Sequence, residues 1–232
     1  MLYVSMLEKN LLPVSILEIF IYITSFMILH FLAPEDKTKW SQKWHHCLDS
    51  WKRAHCCVKI WDDEEIDEFI KCNDPEFFKV LDMLHKIFKL DYVRSLILEK
   101  IGGAYVDMDI ELISPFLHQI DKNKIYIIGA SSGDEIVQNS MMISPPSEFW
   151  TRFLTYSRKN IIENLQAVRA YPDYEENIRG TIVRKTVGPI ALSNFIEQDK
   201  QHIEILPAHL FNNSHGVCFT KHHQTGIWGF ID

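Results

Sequence analysis

The chain has 232 residues, 47 % of them hydrophobic, and a formal net charge of −7. That is apolar material for one sizeable core, and so negative a sum excludes a general nucleic-acid binder, which carries a basic face. Five cysteines, with Cys56 and Cys57 adjacent and no pair at zinc-site spacing, exclude a disulfide framework and a zinc module; they read as buried thiols in a reducing compartment.

The first feature in chain order is an apolar run from Leu11 to Leu32. It reaches the ~20 residues of a membrane span. Pro13, Glu18 and His30 interrupt it, only Lys9 borders it, and it lacks a small-residue cleavage site. The organisation expected is an apolar segment over residues 1–26, an anchor or an extra helix, followed by a single domain over 27–232. A cytoplasmic location is expected, the alternative being a membrane-anchored form of Golgi or host-membrane type.

Trp44 to Trp51 predicts a helix, and Val58-Lys59-Ile60-Trp61 a strand. Asp62-Asp63 supplies an N-cap for a helix through Glu65, Ile66, Phe69 and Ile70. His45, His46 and His55 belong to a helix surface or the core, since no carboxylate or cysteine pattern accompanies them. Asn73-Asp74-Pro75 is a turn, and Pro75 suits the first position of a helix carrying Phe78, Leu81 and Leu84.

Asp91 to Pro115 organises the rest. Val93, Leu96, Ile97 and Ile101 recur at the spacing of one buried helical face, and Asp91 and Arg94 share a second face. Gly102-Gly103 stops that helix, because glycine accepts the left-handed conformation of a helix terminus. From Tyr105 to Ile110 the period becomes two, which predicts one strand with Tyr105, Asp107 and Asp109 on a common face. Two carboxylates so close repel one another unless a cation lies between them, and an all-oxygen pair favours Mn²⁺ or Mg²⁺.

Beyond it, Ile125 to Ile128 reads as a strand, Gly129 to Asp134 as a loop without the lysine of a P-loop, and Ile136 to Ile143 as a strand. Ser147 caps a helix bearing Phe149, Phe153, Leu154 and Ile161. Tyr171 to Glu176 reads as an exposed loop, and the stretches 129–138 and 167–181 as loops that choose an acceptor. Ala191 to Ile196 is a helix after Thr186-Val187-Gly188-Pro189, and Ile203 to Pro207 a late strand.

Asp91, Arg94, Gly102, Gly103, Tyr105, Asp107 and Asp109 together resemble the D-x-x-R … G-G-x-Y-x-D-x-D core of the glycosyltransferases with a DXD sugar-binding region. That family includes fungal Golgi α-mannosyltransferases and inositol-phosphoceramide mannosyltransferases, and is similar in its core to the large clostridial glucosylating toxins. Its Lys59-Ile60-Trp61-Asp62-Asp63-Glu64, Thr186 to Pro189, and late His222 to Trp228 segments have counterparts here. The family's first strand would begin near Met27 to Phe31, but Leu32 and Ala33 stand where it has a base-stacking tryptophan, and Ile227 replaces a late serine.

The resemblance implies an α/β fold of GT-A type, a mixed but mostly parallel central sheet flanked by helices. It implies a retaining, metal-dependent transfer of a hexose from a nucleotide-diphosphate sugar, GDP-mannose or a UDP-sugar, to a glycan, glycolipid or protein acceptor. Asp109, Asp107 and His222 are the implied ligands of Mn²⁺ or Mg²⁺. Asp91, Arg94, Tyr105, Asp107, Asn139 and Trp228 are the implied donor contacts, with Asp107, Asp109 and Arg94 the catalytic group. Two other classes stay open: a non-catalytic relative that binds a sugar nucleotide, and a nucleotidyltransferase. The latter normally has its glycine pair well upstream of the carboxylates, whereas only Ala104, Tyr105 and Val106 intervene here.

Overall fold

The computed structural model describes residues 27–54, 57–131, 135–199, 201–212 and 218–225. The apolar segment 1–26, His55 and Trp228 therefore lie outside the described residues. Among those described, no helix is long and apolar enough to cross a membrane.

Six strands form the central sheet: β1 (Leu29–Leu32), β2 (Val58–Trp61), β3 (Gly103–Val106), β5 (Tyr126–Gly129), β6 (Val137–Ser144) and β7 (Glu204–Leu206). Their order is β2-β1-β3-β6-β5-β7. β1 runs parallel to β2 and β3, and β7 parallel to β5; β6 alone is antiparallel to both its neighbours. The sheet is thus mixed and mostly parallel, flanked by helices, as the sequence indicated. β4 (Ile110–Leu112) and β8 (Thr220–His222) form a separate two-stranded antiparallel ribbon.

The helices are α1 (Gln42–Ala54), α2 (Asp63–Asn73), α3 (Pro75–Leu81), α4 (Lys86–Lys100), α5 (Glu148–Glu163), α6 (Leu165–Arg169), α7 (Glu176–Thr186), α8 (Pro189–Gln198) and α9 (Ala208–Phe211). The period-two alternation of the strands divides the core into two layers. Leu29, Phe31, Ala104, Val106, Met141 and Ile143 face Trp44, Leu48, Trp51 and Phe116 on one side. Leu32, Tyr105 and Met142 face the layer of α2, α4, α5 and α8 on the other. A sheet covered on both faces explains why its strands read as nearly continuous apolar runs.

The local signals for the helix starts agree with the structure. Asp62 and Glu65 make a reciprocal capping box at α2, Pro75 sits in the first turn of α3, and the Ser147 hydroxyl accepts from the Phe149 N–H at α5. Helix α4 ends at the glycine pair: Gly102 has φ +72° and Gly103 φ +102°. A Cβ on Gly103 would collide with the Ile28 carbonyl, so here glycine is needed for space as well as conformation.

Two expectations are corrected. Tyr105 to Ile110 is not one strand: β3 stops at Val106, a turn runs through Asp107–Asp109 with Ile110 N–H donating to the Asp107 carbonyl at 3.1 Å, and β4 follows. The chain breaks there because it leaves the β6 ladder, whose last bond is Asp107 N–H to Ser140 O at 2.8 Å, to pair with β8. The stretch 167–181 is not an open loop either. It holds part of α6, a 3₁₀ turn over Tyr171–Asp173 and the first half of α7. Tyr171 is buried between the rings of His85 and Phe88, and that anchor folds a polar stretch onto the body.

Candidate active site

Parallel sheets gather ligands at the carboxyl ends of their strands, where neighbouring connections diverge. At that edge β3 delivers Asp107, and β6, running the opposite way, brings Gln138, Asn139 and Ser140 just after its first residue, Val137. The ribbon adds Asp109 and His222, and α4 brings Asp91 and Arg94 from behind. These side chains line one cleft of about 560 Å³, joined by Ile87, Glu135, Arg184, Pro189 and Gln224.

The floor of the cleft is a buried charge network. Arg94 is 3.2 Å from Asp91 Oδ1 and 3.3 Å from Asp107 Oδ1, donates to the Asn139 carbonyl at 3.3 Å, and lies 4.9 Å above the Tyr105 ring. The Tyr105 hydroxyl donates to Asp107 Oδ1 at 2.5 Å, and Asn139 Nδ2 donates to Asp91 Oδ1 at 3.3 Å. Burial pushes the Asp91 and Asp107 carboxyls above their ordinary range, with the Arg94 guanidinium opposing it in each case. A Cβ on Gly188 would stand 3.1 Å from Asp91 Oδ2, so the glycine before Pro189 lets α8 close over that carboxylate.

The mouth differs. Asp109 Oδ1 is 3.2 Å from His222 Nε2, while its Oδ2 accepts the Thr225 backbone N–H at 2.8 Å and the Thr225 hydroxyl at 3.2 Å. Burial would raise the Asp109 carboxyl, but His222 and the Thr225 donors outweigh it and hold it below the usual carboxylate range. Burial likewise depresses His222, and the Asp109 carboxylate more than offsets that, leaving the imidazole above its ordinary value. Thr225 is fixed in turn by the Trp44 indole N–H, which donates to its hydroxyl at 3.1 Å.

Asp107, Asp109 and His222 each present one ligand atom, and the three atoms lie within 4.8 Å of one another. Two carboxylates and an imidazole are a donor set suited to a Mn²⁺-like cation, and the buried His222 Nδ1 and Arg94 Nε still lack hydrogen bonds among the described residues. The residues present fit such an ion.

Of the residues singled out from the sequence, Tyr105 is fully buried beneath this cleft and reaches the site only through its hydroxyl on Asp107, whereas Asp91, Arg94, Asp107, Asp109, Asn139 and His222 line it. The neighbouring histidines do not: His46 and His223 each hold Glu111 at 2.8 Å, and His45 packs against Trp40. Sequence reading missed Glu135, Arg184 and Thr225. The first two are brought in from a loop and a helix 49 residues apart, with no local pattern to mark them. Thr225 stood beside the recognised His222, and a polar run closing after it was the available signal.

Residues 41–127, somewhat over a third of the chain, match the family model described as a glycosyltransferase sugar-binding region containing a DXD motif. The matched segment contains Asp91, Arg94, Asp107 and Asp109. No match is found among curated proteins. Among solved structures, the chain is similar to one titled PaToxG glycosyltransferase at 15 % identity, covering 75 % of this chain and 69 % of that one with a TM-score of 0.48. It is also similar to the glycosyltransferase domain of the YGT toxin. The ligand-free form shares 10 % identity over 67 % of this chain, TM-score 0.42, and the UDP-bound form 11 % over 61 %, TM-score 0.40. The match spans about half the length of those two chains, 52 % and 50 %.

Proposed function

We propose that this protein is a metal-dependent, retaining glycosyltransferase of GT-A type that moves a hexose from a nucleotide-diphosphate sugar to a hydroxyl acceptor. The observation that carries the reading is the convergence of Asp107, Asp109 and His222 at the mouth of a cleft whose floor is Arg94. The match of the DXD-containing segment to a sugar-binding family supports it.

In this reading Asp109, Asp107 and His222 would hold Mn²⁺ or Mg²⁺, which would supply Lewis-acid neutralisation of the leaving diphosphate. Asp109 is presented by the two Thr225 donors with one oxygen toward His222. Asp107 is held by Tyr105 and Arg94, so the two carboxylates keep a fixed spacing without a ligand. Arg94, itself neutralised by Asp91 and Asp107, aligns those carboxylates and offers its remaining N–H to donor oxygens. Asp91 and Asn139, bonded to each other, face the transferred sugar, and Trp228, which lies outside the described residues, is the remaining donor contact of this reading. Asp91 and Asp107 are committed to Arg94, Asp109 to His222 and Glu135 to Arg184, which favours a front-face displacement over a covalent intermediate. The hexose C1–O bond to the diphosphate breaks, the acceptor oxygen bonds to C1 on the same face, and the acceptor proton passes to the departing phosphate oxygen. GDP-mannose and UDP-sugars are the donor classes, a glycan, glycolipid or protein the acceptor, and the location is cytoplasmic.

The test is a melting panel of UDP-, GDP- and CMP-sugars with and without Mn²⁺, on wild type and Asp109→Asn, followed by donor hydrolysis. An upward shift with one nucleotide, dependent on Mn²⁺ and lost in the variant, supports the reading. Binding without any hydrolysis would instead leave a sugar-nucleotide-binding relative that does not turn over.

A further inference from the structure

Glu135 and Arg184 form a second charged group in the same cleft, apart from the Asp107, Asp109 and His222 cluster. Arg184 Nε and Nη2 both approach Glu135 Oε1, at 2.7 and 2.6 Å. Among the described residues, no hydrogen bond reaches Glu135 Oε2 or leaves Arg184 Nη1. The Glu135 side chain is 8 % exposed and that of Arg184 42 % exposed, so the carboxylate is set in the wall and the guanidinium fills the opening.

The pair therefore presents an acceptor oxygen and an N–H donor side by side, with the charges mutually neutralised. An anionic ligand is a poor match, because taking Arg184 would strand a buried carboxylate. A neutral ligand whose adjacent groups both donate and accept can bridge the pair without breaking it, and vicinal hydroxyls are such groups. Ile87 and Pro189 line the same cleft and offer the apolar surface that the C–H face of a sugar ring needs.

We propose that Glu135 and Arg184 are positioning residues that bind a vicinal diol of a pyranose ring, Glu135 Oε2 accepting from one hydroxyl and Arg184 Nη1 donating to its neighbour. This rests on the glycosyltransferase reading and deepens it. The diol belongs either to the hexose of the donor or to a glycan acceptor, two sources with one chemistry.

The experiment compares wild type with Glu135→Gln and Arg184→Met in the presence of Mn²⁺. Calorimetric titration with UDP and GDP, then with UDP-glucose, UDP-galactose, UDP-N-acetylglucosamine and GDP-mannose, separates nucleotide from hexose. Transfer to the methyl α-glycosides of the same hexoses, read by mass spectrometry beside donor hydrolysis, addresses the acceptor. Both variants should bind the bare diphosphate as wild type does. If the diol is the donor's, affinity for the nucleotide sugar falls about 10- to 100-fold, the worth of a hydrogen bond to a charged group. If it is the acceptor's, donor affinity and hydrolysis stay unchanged while transfer to the glycosides falls by that factor. Variants that equal wild type throughout, or that weaken UDP or GDP as much as the nucleotide sugars, overturn the proposal. Wild type that binds neither diphosphate nor nucleotide sugar sinks the glycosyltransferase reading itself, a different result. Should either single variant melt early through its stranded partner, the double variant Glu135→Gln/Arg184→Met, which leaves no unpaired charge, carries the test.

Discussion

Strand β3 has two ends of opposite character. At its start, Gly102 and Gly103 lie against β1, where His30 Nε2–H donates to the Gly102 carbonyl at 2.9 Å and His30 Nδ1 accepts the Trp61 indole N–H at 3.1 Å. Every polar atom of that imidazole is matched by a neutral group, and burial lowers its pKa to about 4. At the finish, Asp107 and Asp109 meet a second histidine, His222, which a carboxylate holds above its ordinary pKa. The same residue type is a neutral brace at one end and a chargeable partner of a carboxylate at the other. What differs is the partner, a carbonyl and an indole against a carboxylate. At the second end the close like charges are offset by Arg94 and His222.

The sharpest way to break this contrast is to spoil the closed end. Gly103→Ala puts a Cβ into the Ile28 carbonyl at φ +102°, and should cost on the order of 4 kcal/mol, seen as a collapsed urea midpoint. A variant as stable as wild type would mean that the β1–β3 junction can shift, and with it the site. At the open end, Asp109→Asn gives up the His222 ion pair and should lower the melting temperature by a few degrees, while Mn²⁺-dependent turnover falls about 100- to 1,000-fold. Normal turnover of that variant in saturating Mn²⁺ would remove Asp109 from the metal.

Acid separates the two histidines next. Below pH 6.5 the unfolded chain takes up a proton at His30 that the folded imidazole refuses until about pH 4. Its contribution is therefore complete above pH 6.5 and lost as pH falls toward 4, by up to about 3 kcal/mol. His30→Gln, whose amide can donate to Gly102 and accept from Trp61, should flatten that part of the stability profile. An unchanged slope would place the acid sensitivity elsewhere. The smallest effect is at Thr225. Thr225→Val keeps the backbone donor to Asp109 and removes the hydroxyl set between Asp109 and Trp44, so Mn²⁺ affinity should fall only several-fold, near 1 kcal/mol. A loss as large as that of Asp109→Asn would show that the hydroxyl, not the backbone, orients the carboxylate.

Much of this site was legible in the sequence because its parts are local. Asp91 and Arg94 lie on one helical turn, the glycine pair follows that helix, and Asp107 and Asp109 lie directly beyond it. The break at Asp107–Asp109 was hidden because Met108 and Ile110 continue the apolar alternation of β3, while the chain has already changed partner from β6 to β8. The helical folding of 167–181 was hidden for a similar reason: its polar residues look solvent-bound, and only the burial of Tyr171 shows the anchor. Glu135 and Arg184 have no spacing that links them, since helix α7 and the start of β6 meet only in the folded chain.

The ribbon of β4 and β8 has a further consequence for how the protein assembles. Each of its strands has three residues, too few to be stable alone, yet it joins Asp109 to Thr225 across 116 residues of chain. Closing so large a loop is costly in entropy, and α1 helps offset it by receiving β4 through Trp51 Nε1–H to Ile110 O and Leu112 N–H to Ser50 Oγ. The three-residue cluster at the cleft mouth is thus expected among the last contacts to form, which amide-exchange labelling during refolding would check. A cation bound there, as proposed, would act as the clasp of that loop, so occupancy of the site and docking of β8 should rise and fall together.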